Sequence, residues 1–154
     1  MAEPLHVTFV CTGNICRSPM GQNIFRRALE DAGLDGAVRV TSAGTGGWHI
    51  GDPADARART ALTSAGYDDE HTAAKIGPDH LAADLLIAMD SGHEAALRKL
   101  GVGDRTRLLR SFDPDADGDD VADPYYGSDD GFREVRTQIE AAMPELLDWV
   151  RSRI

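Results

Sequence analysis

A short apolar run, Val7 to Val10, leads directly into Cys11, Thr12, Gly13, Asn14, Ile15, Cys16, Arg17 and Ser18, and a helical pattern follows. This strand–loop–helix order constrains the fold more than any other stretch. Ser18 is placed as the N-cap of the helix and Pro19 as its first residue. Main-chain N–H groups converge where a helix begins, and the helix dipole adds positive potential there. The segment therefore reads as a cradle for a phosphate-sized anion. It has the Cys11 thiol at its base and the Arg17 guanidinium at its rim.

Each residue type suits that chemistry. A thiolate is a strong nucleophile, and amide donors or a nearby guanidinium favour it over the thiol. A guanidinium presents a planar fork to two phosphoryl oxygens. Gly13 lets the backbone curl tightly round the anion. Ser18 can donate a hydrogen bond to the sulfur and ease its departure.

Further strand-like runs are predicted at Leu5–Val10, Val38–Ser42, Asp84–Met89 and Thr106–Leu109, with helical patterns between them. Met20, Ile24, Phe25, Ala28 and Leu29 share one apolar face ending near Gly33. Asp52 and Pro53 are expected to start a second helix, which runs through Leu62 and stops near Gly66. Asp90 is the expected N-cap of a third. The last helix carries Phe132, Val135, Ile139, Met143, Leu146 and Val150 in one stripe, and Pro144 is expected to bend or break it. Alternating strands and helices predict a single α/β domain over residues 1–154. Its centre is a four-stranded parallel twisted sheet with helices on both faces, and the phosphate-binding loop follows the first strand.

Composition removes several classes of function. Hydrophobic residues make up 42% of the 154, as in an ordinary globular protein. No stretch approaches the roughly 20 apolar residues of a membrane span. The N-terminus lacks a basic region followed by a long apolar segment, so no signal peptide is expected. The net charge of −10 argues against nucleic acid and anionic membrane surfaces. Most of that charge lies between Asp113 and Asp130, which hold eight acidic and no basic residues. Only two cysteines occur, both in the loop, which predicts a reducing, cytoplasmic setting without disulfide scaffolding.

The loop resembles the phosphate-binding loop of the low-molecular-weight protein tyrosine phosphatases. Four more blocks resemble that family in order and spacing: Ser42 to Thr45 with Trp48 and His49; Tyr67 and Asp68 with His71; Ala88 to Asp90; and Asp123 to Gly127. The resemblance implies a metal-independent, cofactor-free hydrolase of phosphotyrosine-containing proteins, working as a monomer through a cysteinyl-phosphate. Cys11 is then the nucleophile, and Thr12 to Ser18 bind the phosphate. Arg17 also stabilises the transition state. Asp123 is the general acid and base, although Asp123-Pro124 taken locally reads as the start of a turn. Trp48, Tyr125 and Tyr126 become aromatic walls for a phenyl ring. Asn14, Ser18, Ser42 and His71 brace the loop. Cys16 keeps two compatible readings: a small core residue, and a partner that traps oxidised Cys11 as a disulfide.

Three other functions fit the residues less well. Thiol-dependent arsenate reduction needs cysteines beyond Cys11 and Cys16. Phosphoarginine phosphatases resemble this loop but carry Thr where Ile15 stands, and their acid loop lacks the paired tyrosines. A non-catalytic phosphate-binding module needs neither Cys11 nor Asp123. Asp113, Asp115, Asp117 and Gly118 imitate the start of a calcium loop, but Pro124 replaces the closing Glu, and no metal is expected. Gly21 and Gln22 depart from the family's common Ala-Glu. A glycine there is expected to cost the helix roughly 1 kcal/mol.

Overall fold

The structure is a computed structural model that describes residues 3–125 and 127–154. Four strands form one parallel sheet: β1 (Leu5–Cys11), β2 (Val38–Gly44), β3 (Leu85–Ala88) and β4 (Thr106–Leu108). Their spatial order is β2-β1-β3-β4. The helices are α1 (Arg17–Asp31), α2 (Ala56–Thr63), the single turn α3 (Pro78–Leu81), α4 (Ser91–Lys99) and α5 (Asp129–Arg151).

The order explains the two-sided architecture. The chain leaves β1 towards β2 on one side, then returns to lay β3 on the other. Parallel crossovers are right-handed, so α1, between β1 and β2, and α4, between β3 and β4, fall on opposite faces. Side chains alternate accordingly. Val7, Phe9, Leu85 and Ile87 join the core under α1, α2 and α5, whereas Val10, Leu86 and Ala88 pack with Leu97 of α4. The connections leaving the paired strands β1 and β3 run to opposite sides, so the strand order reverses between them. Parallel sheets bind ligands beyond the carboxyl ends of their strands at such a point, and the loop after Cys11 opens there.

Four local expectations are corrected. First, Ser18 does not cap α1. The helix starts at Arg17 and its N-cap is Cys16, with no side-chain cap bond. Second, α2 starts at Ala56 rather than at Asp52-Pro53, because Asp55 caps it by accepting from Arg57 N. Third, α5 runs unbroken through Pro144. The proline is exposed on the solvent side, where water can satisfy the carbonyl it leaves unpaired, while the buried stripe holds both halves. Fourth, Gly21 is not simply a weak helix residue. A Cβ there would lie 2.7 Å from the Phe9 ring, so the bare backbone is what lets that ring seat between sheet and helix.

Candidate active site

Cys11 ends β1 and is 3% exposed. Its Sγ lies 2.8 Å from Ser18 Oγ. The loop beyond it is held by Asn14, whose φ of 59° is left-handed, a conformation Asn tolerates better than most residues. Asn14 Nδ2 donates to Ser18 Oγ at 2.7 Å and to Ser42 Oγ at 3.0 Å, and its Oδ1 accepts from Ala74 N at 2.9 Å. His71 Nε2 donates to Asn14 O at 2.6 Å. Burial lowers the His71 pKa, and the neutral ring still has the one N–H this bond needs. Ser42 Oγ donates in turn to Gln22 Oε1 at 2.7 Å. The network also bears on the first contact. Ser18 Oγ accepts from Asn14, which leaves its own hydrogen available to the Cys11 sulfur when that sulfur is a thiolate.

Arg17 is 3% exposed. Its Nη1 donates to Asp90 Oδ2 at 2.9 Å and to Val121 O at 2.8 Å, and its Nη2 faces Asp123 Oδ2 at 3.7 Å. With Nη1 engaged, Nε and Nη2 form the edge available to an anion. Asp90 is held in turn by the α4 amide of His93 at 2.9 Å. The His93 ring reaches the start of the loop. Its Nε2 meets Thr12 Oγ1 at 2.9 Å, and its Nδ1 sits 3.2 Å from Asp90 Oδ1, off the line of a good hydrogen bond. Burial pushes the His93 pKa down to about 4, against the opposing pull of Asp90.

Cys11, Thr12, Gly13, Ile15, Cys16 and Arg17 line a cleft of about 340 Å³, together with Trp48, His49, Asp123 and Tyr125. The structure therefore brings the predicted nucleophile, guanidinium, acid and two aromatic walls to one opening, with Asn14, Ser18, Ser42 and His71 behind it. Trp48 is 75% exposed and overlies Gly46, where a Cβ would collide with the indole. The third predicted wall, Tyr126, lies outside the described residues. Cys16 is buried beside the cleft. Burial first, then the Asp55 carboxylate, push its thiol up to about 12, so it rests protonated.

Five contributors escaped the sequence reading: the Asp90 carboxylate on Arg17, the Val121 carbonyl, His93, Gln22 and Arg57. In the sequence Asp90 is a helix cap, which it also is here, and part of a block resembling the family, with no role on Arg17. In the sequence Gln22 is only a departure from the family pattern, whereas here it accepts from Ser42 and extends the Asn14–Ser42 chain to Asn23. The predicted imitation of a calcium loop is put to other uses. Asp117 pairs with Arg110 at 2.6 Å, and Asp120 accepts from Ser91 N at 2.8 Å.

A family model described as "Low molecular weight phosphotyrosine protein phosphatase" matches residues 6–153. The chain belongs to the low-molecular-weight protein tyrosine phosphatase family. It is 56% identical to "Low molecular weight protein-tyrosine phosphatase A" of Mycobacterium tuberculosis over 157 residues, covering 100% of this chain and 96% of that protein. It is 50% identical to the "Low molecular weight protein-tyrosine-phosphatase" of Streptomyces coelicolor, covering 96% and 94%. The crystal structure of YfkJ from Bacillus subtilis superposes with a TM-score of 0.91 at 35% identity, covering 99% of this chain and 98% of that one. The YfkJ structure thus shares the α/β fold of this chain, and no helix among the described residues is long and apolar enough to cross a membrane.

Proposed function

We propose that this chain hydrolyses phosphotyrosine in proteins, with Cys11, Arg17 and Asp123 as the catalytic residues. The observation that carries the reading is their convergence. A buried thiol, a buried guanidinium and an exposed carboxylate line one cleft, with Arg17 Nη2 3.7 Å from Asp123 Oδ2.

In the first step the Cys11 thiolate attacks phosphorus. The S–P bond forms, the P–O bond to the tyrosyl oxygen breaks, and the Asp123 carboxyl gives its proton to that oxygen. The Nε–Nη2 edge of Arg17 and the amides of Thr12 to Ser18 follow the equatorial oxygens as the phosphoryl group flattens. In the second step water attacks phosphorus and Asp123 takes its proton. The S–P bond breaks, and the Ser18 hydroxyl hydrogen-bonds the departing thiolate. Trp48, Tyr125 and, outside the described residues, Tyr126 are the walls for the phenyl ring. A deep cleft with a buried nucleophile favours a long aryl phosphate over a short phosphoserine.

The same reading makes the partners phosphotyrosine-bearing proteins, met by a monomer in the cytoplasm. It also keeps Cys16 as the resolving thiol for oxidised Cys11. Mild peroxide treatment followed by mass spectrometry detects the intramolecular disulfide that role requires. The function is tested with matched phosphotyrosine and phosphoserine peptides in chelator, combined with trapping of the intermediate. Turnover of phosphotyrosine with phosphate recovered on Cys11 is the expected result. Equal turnover of both peptides, or phosphate on no cysteine, removes the assignment.

A further inference from the structure

We propose that Arg57 is a positioning residue for Asp123: it ties the loop bearing the acid to the loop bearing the nucleophile. This rests on Asp123 being the general acid. Arg57 lies outside the cleft, on the first turn of α2, yet its guanidinium is committed on every side. Nε and Nη2 grip the Asp55 carboxylate, both at 3.1 Å. Nη2 also donates to Tyr125 O at 2.9 Å, and Nη1 to Gly127 O at 3.0 Å. Its flat face lies 4.6 Å from the centre of the Phe132 ring of α5 and 5.8 Å from that of Tyr125.

The gripped carboxylate is itself anchored to the cradle. Asp55 N donates to Ile15 O at 2.8 Å, in the middle of the phosphate loop. The connection therefore runs Ile15, Asp55, Arg57, then Tyr125 and Gly127, which flank the acid two and four residues on. Asp123 makes a turn of its own, its Oδ1 accepting from Tyr125 N at 3.1 Å, and its Oδ2 faces Arg17 Nη2 at 3.7 Å. That long contact and the Val121 carbonyl on Arg17 Nη1 tie the side of the loop before the acid to the cradle; the side after it has still to be fixed. A guanidinium can fix that side because it is planar and rigid, with several donors at fixed angles. An ammonium meets these partners one at a time.

A positioning role through Asp123 has a signature that general stabilisation lacks. The acid matters when the leaving oxygen is basic and matters little when the leaving anion is stable. The readout is the ratio of kcat/KM for 2,4-dinitrophenyl phosphate to kcat/KM for phenyl phosphate. Both values come from one preparation, so a reduced folded fraction cancels. Arg57→Ala and Arg57→Lys are each expected to raise this ratio by on the order of tenfold, a part of the roughly 10²–10⁴-fold assistance a general acid gives. Asp123→Asn is expected to raise it further. Adding Arg57→Ala to Asp123→Asn should then change the ratio little, since residues acting through one group are not additive. An unchanged ratio in both Arg57 variants, beside a raised one in Asp123→Asn, overturns the positioning role alone. A full further increase in the double variant does the same. An unchanged ratio in Asp123→Asn removes the acid assignment, and the proposal with it.

Discussion

The two halves of the active site are built in opposite ways. The cradle from Cys11 to Ser18 is buried except at Thr12 and Gly13, and Asn14, Arg17 and Ser18 each meet partners inside the protein. The acid loop lies in water: the Asp123 side chain is 48% exposed, and Tyr125 is exposed as well. A phosphoryl group has one shape, and burial strengthens the dipoles aimed at it. A leaving group varies and must enter and depart, so its acid sits on an open segment. Hydrogen bonds in such a segment compete with water and are worth less each. A few anchors, Arg57 among them, then decide where it stands.

The largest contrast comes from substitution in the cradle. Cys11→Ser should abolish turnover of every aryl phosphate, whatever its leaving group, while a phosphate analogue still binds. Arg17→Lys should lose about 10²–10³-fold, since one ammonium cannot replace the Nε–Nη2 edge. Steady-state rates across a series of phenols check this. A leaving-group dependence in Arg17→Lys as steep as that of Asp123→Asn would erase the division of labour.

Next in size are the glycines. A Cβ on Gly44 would stand 2.7 Å from Thr12 O and 2.9 Å from Gly46 O, both main chain. Gly44→Ala must therefore shift the cradle, and is expected to cost about 1–3 kcal/mol together with activity. A Cβ on Gly127, in the acid loop, meets only Pro124 O at 3.4 Å. Gly127→Ala should stay within about 0.5 kcal/mol. Urea titrations of the two variants give the comparison directly.

The cradle also leans on two histidines, His93 and His71, that burial keeps neutral. The His93 pKa is lowered to about 4 and that of His71 is lowered too, as, elsewhere in the protein, are those of His6 and His80. An unfolded His binds its proton near pH 6.5 while the folded one does not. The unfolded state thus holds more protons between these values, and stability falls as pH drops from about 6.5 to about 4. Each such histidine adds a slope of up to about 1.4 kcal/mol per pH unit. His93→Gln should flatten the curve measured by urea unfolding across this range. An unaltered curve would remove His93 from the account.

The smallest effect belongs to the open side. The acidic segment from Asp113 to Asp120 precedes Asp123, and Asp120 is fixed at the start of α4. Phosphopeptides with Lys or Arg flanks should show higher kcat/KM than those with Asp or Glu flanks. The preference should fade with salt, because exposed charges are screened beyond about 8 Å at physiological ionic strength. Equal values at low salt would show that the acid loop exerts no field on its substrates.

The sequence by itself determined the strands, the main helices, the cradle and the family. These rest on local signals: apolar periodicity, the spacing of Cys11 and Arg17, and the Asp-Pro-Tyr-Tyr block. It was misleading where a local preference met a tertiary contact. Pro144 breaks isolated helices, but the buried stripe of α5 carries the helix past it. Ser18 looks like a cap, but Cys11 and Asn14 claim its hydroxyl. Gly21 looks like a weakness, but Phe9 needs the space. Only the tertiary structure decided that Asp90 and Val121 hold Arg17, that His93 joins Thr12 to Asp90, and that Arg57 reaches the acid loop. Each of these pairs elements far apart in the chain, and only the packing of the sheet and its helices fixes which of the many chemically suitable partners each side chain meets.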